Sequence, residues 1–184
     1  PVTGDPTTFD DDWDSVVGSL RLLAPLTEDR RHVVYGDVAQ GFRAPSLYEI
    51  AYNDGPFAYP PAQGTQLSEE ESEGFDLGVS WSTAAGLYLE AVYFDQTVSD
   101  EIYFDNVDFS GYLQSNGDTQ SNGVELIAQA SLLDTLSLNS NYTYNETQTN
   151  SGANRIFRPK HLANLGLSWK PLAERLVLGL YVRM

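Results

Sequence analysis

The feature that most constrains this chain is a two-residue alternation of apolar and polar side chains, repeated in window after window. From Leu136 to Glu146, Leu136, Leu138, Tyr142 and Tyr144 share one face, interrupted only by Ser140. Ser137, Asn139, Asn141, Thr143 and Asn145 share the other. Phe75, Leu77, Val79 and Trp81 alternate with Asp76, Gly78, Ser80 and Ser82. The same period runs through Val124–Ser131, Ala163–Trp169 and Leu176–Arg183. Less regular versions occupy Ser15–Ala24, His32–Phe42 and Leu87–Val98. Successive side chains on an extended strand point to opposite faces, so this period reads as strand, and helical spacing fits none of these windows as well. The expectation is an all-β, antiparallel up-and-down meander of about eight strands, with nothing helical.

The connections alternate in length. Those at 25–30, 82–86, 132–135 and 170–175 are short, and those at 44–69, 99–120 and 147–160 are long and polar. In a meander every second connection lies on the same rim, so one rim carries tight turns and the other long loops. The aromatics sort by rim as well. Trp81 and Trp169 fall on the apolar face beside short turns, whereas Tyr142 and Tyr144 fall at the long-loop end. A soluble sandwich gives no reason for that sorting. Two aromatic belts flanking an aliphatic band match the two interfaces of a membrane, and short turns opposite long loops match a transmembrane β-barrel. The expected lipid-facing residues include Phe75, Leu77, Val79, Trp81, Leu136, Leu138, Leu165, Leu167 and Trp169. No stretch approaches the roughly 18 apolar residues of a membrane helix, which bears on helical membrane proteins only.

Charge narrows the function. The 184 residues carry 26 acids against 10 Lys and Arg, a net charge of −16. Phosphate backbones require a basic face, so nucleic acid is not an expected partner. With no cysteine, thiolate metal sites and cysteine nucleophiles are excluded. The two histidines, His32 and His161, fall on different strands, and no nucleophile elbow, phosphate loop or His-Glu-x-x-His motif occurs. No catalytic residue, enzymatic activity or cofactor is expected. Acids gather outside the apolar windows, at Asp10–Asp12, Glu69–Glu71 and from Asp100 to Asp108, and read chiefly as solvated loop. Dense like charge could be relieved by calcium, with Asp100, Glu101, Asp105 and Asp108 as weak candidates. Calcium there could also bridge to anionic surface lipid.

At Val33–Ile50 the chain reads VVYGDVAQGFRAPSLYEI, whose Gly41, Phe42, Arg43, Ala44, Pro45 and Ser46 resemble a strand-ending segment of TonB-dependent receptor barrels. Four further segments resemble that family in its order: Glu71–Gly78, Val92–Ile102, Asn116–Leu126 and Arg158–His161. The resemblance implies a bacterial outer-membrane receptor with about 22 strands and a plugged lumen. It implies active uptake of a large solute, such as an iron-siderophore or cobalamin. The implied partners are outer-membrane lipid, the plug domain of the same receptor and a TonB-like energy-coupling protein. Residues 1–184 would be part of the barrel, without the plug and the final strands. The alternatives are a passive porin and a self-contained eight-stranded structural barrel.

The best binding candidate is the long loop after the Gly-Phe-Arg-Ala-Pro motif. Tyr48, Tyr52, Asn53, Asp54, Phe57 and Tyr59 set aromatic rings beside polar groups, which suits a bulky amphipathic ligand. Arg43 is expected to face the lumen and pair with a carboxylate of the plug.

Overall fold

A computed structural model describes residues 13–149, 158–172 and 175–184. The acids Asp10–Asp12, the middle of the third long connection and part of the last short turn lie outside the described residues. Ten strands and one helix are described: β1 (Ser19–Pro25), β2 (His32–Arg43), α1 (Leu47–Asn53), β3 (Glu70–Ser82), β4 (Leu87–Ser99), β5 (Ile102–Phe104), β6 (Tyr112–Gln114), β7 (Thr119–Leu133), β8 (Leu136–Thr149), β9 (His161–Trp169) and β10 (Leu178–Arg183). Eight of the strands form one sheet in the order β1-β2-β3-β4-β7-β8-β9-β10, every neighbour antiparallel. The sheet is not closed: among the described residues β1 and β10 each pair on one side only.

The pairing register joins the separate apolar faces into one. Directly opposite residues share a face. Val34 lies opposite Val79, Val79 opposite Ala91, and Ala91 opposite Leu126. Leu126 lies opposite Tyr142, Leu138 opposite Leu167, and Leu167 opposite Leu180. A slip of one residue at any pair would send every following apolar side chain to the polar side. In β8 the apolar face runs from Leu136 to Tyr144, nine residues, against the roughly 9–11 of a tilted membrane-spanning strand. All nine expected lipid-facing residues lie on this face. Phe75, Leu77, Val79, Trp81, Leu165 and Trp169 are exposed, and Leu136, Leu138 and Leu167 are half-covered by neighbouring strands. Both histidines end up on it too. His32 packs against Trp81 at the short-turn end, the rings tilted by 37° with centres 4.2 Å apart, and His161 shares a 2.7 Å hydrogen bond with Tyr142 at the long-loop end.

On the opposite, polar face, Arg21 binds the Asp37 carboxylate at 2.9 Å and rests on the Tyr35 ring. The Tyr35 hydroxyl crosses β3 to reach Glu90 at 2.7 Å, and Tyr88 donates to the same carboxylate. Tyr35 can cross because Gly78 lies beneath it: a Cβ there would collide with the ring. Farther along, Asn164 donates to Asn141 at 2.7 Å, so these two amides of the polar face are paired within the wall.

Three expectations are corrected. The chain is not free of helix: α1 forms where Ser46 and Glu49 close a capping box, the serine hydroxyl accepting from the Glu49 amide and the Glu49 carboxylate accepting from the Ser46 amide. Seven residues are too few for a helical period to stand out, yet the Ser-x-x-Glu spacing was there. The loop at 99–120 contains a two-stranded ribbon, β5–β6, also too short for periodicity to find. Glu70 and Glu71 are strand rather than loop, because β3 continues past the apolar band.

Candidate functional site

The first two long connections meet at Arg43. Its Nε and Nη2 donate to the two oxygens of Glu70 at 2.7 Å, and its Nη1 reaches Glu49 at 3.1 Å. Glu70 lies opposite Arg43 in the β2–β3 ladder, and Glu49 stands in the first turn of α1. Glu70 also accepts the Ile102 amide at 2.6 Å, which ties the second loop to the same guanidinium. A bidentate pair of this kind fixes geometry as well as charge. Within this chain, Arg43 holds two acids, Glu49 and Glu70. The rest of the motif feeds this junction. Gly41 is on the polar face, where a Cβ would stand 2.9 Å from the Ser72 hydroxyl; Phe42 is exposed on the apolar side; Ala44 is half-buried and Pro45 buried.

Above the junction the loops fold on each other into a cap. Ile50, Ala58, Ala62 and Leu67 of the first loop and Ile102 of the second are buried there. Asn53 is the bolt. It is 1% exposed, its Nδ2 donates to the Tyr112 carbonyl and its Oδ1 accepts the Tyr112 amide, both at 2.8 Å. One side chain thus replaces a strand's backbone pairing. Asn53, one of the ligand candidates, is thus buried between the two loops. Gly111 beside it has φ 142°, and a Cβ there would stand 2.7 Å from Asn53 Oδ1 and 2.9 Å from Ala62. Only glycine meets both demands.

Aromatic rings line the seam. Tyr48 and Tyr52 of α1 meet Tyr112 at 6.1 and 5.7 Å in edge-to-face geometry. Tyr52 meets Phe104 at 5.7 Å, and Phe104 meets Phe109 at 6.3 Å. These are ordinary separations for stabilising aromatic pairs. Tyr52 is half-buried in the cluster, while Tyr48 and Phe109 at its two ends are 67% and 61% exposed. Burial, then the nearby Tyr48 and Glu49, push the Tyr112 phenol up. Phe57 and Tyr59 are exposed but take no part in this cluster's ring contacts, and Asp54 caps the end of α1. Phe104, Phe109 and Tyr112 were missed by sequence reasoning, which saw the second loop only as an acidic run. Three aromatics within nine residues was the overlooked sign.

The calcium candidates do not converge. The Asp105 carboxylate is buried and turned inward, accepting the Ser110 hydroxyl at 2.7 Å and the amides of Val107, Asp108 and Ser110. These bonds hold it below the usual carboxylate range. Glu101 accepts from Thr119 at 2.8 Å. Among the described residues no group of three or more His, Asp or Glu side chains is placed to hold a metal ion.

Residues 1–183 match the family model described as TonB dependent receptor-like, beta-barrel. The iron-regulated outer membrane virulence protein of Vibrio cholerae is 28% identical, the match covering 83% of this chain and 26% of that protein. The solved ferric enterobactin receptor of Pseudomonas aeruginosa superposes with a TM-score of 0.69 at 23% identity, covering 91% of this chain and 27% of the other. The ferric yersiniabactin uptake receptor of Yersinia pestis gives 0.65 at 22% identity, covering 91% and 25%. The chain therefore spans about a quarter of the length of the proteins it matches. At these identities the solved structures establish shared fold.

Proposed function

The chain belongs to the TonB-dependent receptor family, as part of its outer-membrane β-barrel, and from that premise we propose that its cap takes part in capturing a large solute for active uptake. The observation that carries this reading is the aromatic seam. Tyr48 and Tyr52 come from one long loop, and Phe104, Phe109 and Tyr112 from the other. Rings from two connections, with exposed faces at both ends and a rigid base beneath, offer broad apolar contact to a bulky ligand at small entropic cost. The polar wall below suits a wet lumen or a plug domain, and the apolar wall suits outer-membrane lipid. An iron-regulated relative and ferric-siderophore receptors among the similar structures favour iron complexes over cobalamin as the solute class. A TonB-like partner would supply energy through the plug, outside these residues.

The test uses the full-length receptor in its native outer membrane. Uptake of radiolabelled ferric siderophores should require the receptor and stop when the proton-motive force is collapsed. Tyr48→Ala with Phe109→Ala should weaken ligand binding roughly tenfold, as expected from losing two contact rings. Uptake that continues without energy would favour a passive porin.

A further inference from the structure

The charge of the cap carries an inference beyond uptake itself. The two loops, residues 44–69 and 100–118, hold eight acids: Glu49, Asp54 and Glu69, then Asp100, Glu101, Asp105, Asp108 and Asp118. They hold no lysine, arginine or histidine. Among the described residues, Arg43 is the base at their foot, and three of its nitrogens already bind Glu49 and Glu70. An anionic ligand descending onto the Tyr48–Phe109 seam thus meets no guanidinium or ammonium of the cap with which to pair. It meets instead the exposed carboxylates of Asp54, Asp100, Asp108 and Asp118. The ring faces add to this, since an aromatic face is the negative end of its quadrupole and attracts cations.

We infer that the cap selects by charge: it admits neutral or cationic iron complexes and disfavours polyanionic ones. In this reading the acids form no metal site. They are a long-range field around an aromatic contact surface, of the kind that raises the local concentration of one sign of solute and lowers the other. The inference deepens the uptake reading and rests on it. Neutral hydroxamate-type ferric complexes, or those bearing a free ammonium arm, fit the cap. Ferric tris-catecholates, whose oxygens leave several negative charges on the complex, do not. The field of exposed carboxylates weakens with salt, so the discrimination is largest at low ionic strength.

The experiment measures binding of three ferric complexes to the full-length receptor in detergent: a tris-catecholate, a neutral trihydroxamate and a trihydroxamate carrying an ammonium. Expected is the order ammonium-bearing, then neutral, then tris-catecholate, with the spread narrowing as salt rises. Asp54 and Asp108 are exposed and outside the hydrophobic seam, so the pair Asp54→Lys and Asp108→Lys alters charge with little cost in packing. That variant should lower the ammonium-to-catecholate affinity ratio at least ~10-fold. Asp54→Asn with Asp108→Asn should move it in the same direction by less. Tightest binding of the tris-catecholate, or a ratio unchanged in both variants, overturns the charge inference while leaving the uptake reading intact. If no complex of any charge binds, the uptake reading falls and this inference falls with it.

Discussion

The sheet and the cap follow opposite rules of burial. The buried hydrophobic side chains among the described residues, Ile50, Ala58, Ala62, Leu67 and Ile102, lie in the two loops. The cap has the anatomy of a very small water-soluble domain, with an apolar centre, a buried amide clamp and charges outside. The sheet reverses this. Along β3, Phe75, Leu77, Val79 and Trp81 are exposed while Asp76 and Ser80 between them, and Ser82 after them, are half-buried. Without lipid such a surface would be an aggregation hazard; facing lipid, it is the outside of a barrel. Solvent, not sequence composition, decides which arrangement is stable, and this chain meets two solvents within a few residues of Arg43.

The largest expected effects contrast the two sides of β9. Leu165→Arg puts a charge into the lipid band and should cost about 2–4 kcal/mol in bilayer refolding. Asn164→Arg faces the lumen and loses one hydrogen bond to Asn141, for a cost of about 1 kcal/mol. Refolding titrations in lipid vesicles measure both, and equal costs would break the register.

Next in size is the clamp. Asn53→Ala leaves the buried Tyr112 amide and carbonyl unpaired, at a local cost of about 2–3 kcal/mol. Because the sheet has its own ladder, the loss should stay in the cap. Limited proteolysis of the full receptor should then cut residues 44–69 and 100–118 faster while the strands remain protected. Loss of the whole barrel would mean that cap and sheet are a single unit.

The smallest effect is pH-dependent. Bonds from Ser110, Val107 and Asp108 hold the Asp105 carboxyl below its ordinary value. A carboxyl with a depressed folded pKa contributes stability that is fully present above its unfolded value and lost as pH falls through the folded one. The β5–β6 turn should therefore open to amide exchange below about pH 4 while the sheet does not. Asp105→Asn should remove that pH dependence.

What could be read in advance divides along the same line. The sheet was legible because period two, repeated through Phe75–Trp81 and Leu136–Tyr144, has one structural meaning, and the register followed from keeping Trp81, Trp169 and the leucines on one face. The cap was legible only in part. Tyr48 and Tyr52, which the sequence offers as ligand candidates, lie in the aromatic seam, but Asn53 looked like any polar loop residue. Its partner is the backbone of Tyr112, 59 positions away, and a backbone partner leaves no mark in sequence. The pairing of Arg43 with Glu70 was hidden for a related reason: it needs the β2–β3 register, which depends on β3 extending beyond its apolar stretch.

The central claim is that one face of this sheet meets lipid and the other does not. This chain contains no cysteine; with any cysteine elsewhere in the full-length receptor replaced, single cysteines at positions 163 to 168 can each carry a fluorophore in the receptor rebuilt in vesicles. The account predicts strong quenching by a lipid-dissolved quencher at 163, 165 and 167 and weak quenching at 164, 166 and 168, the pattern inverting for an aqueous quencher. Quenching that is uniform along the six positions, or that alternates in the opposite phase, would contradict it.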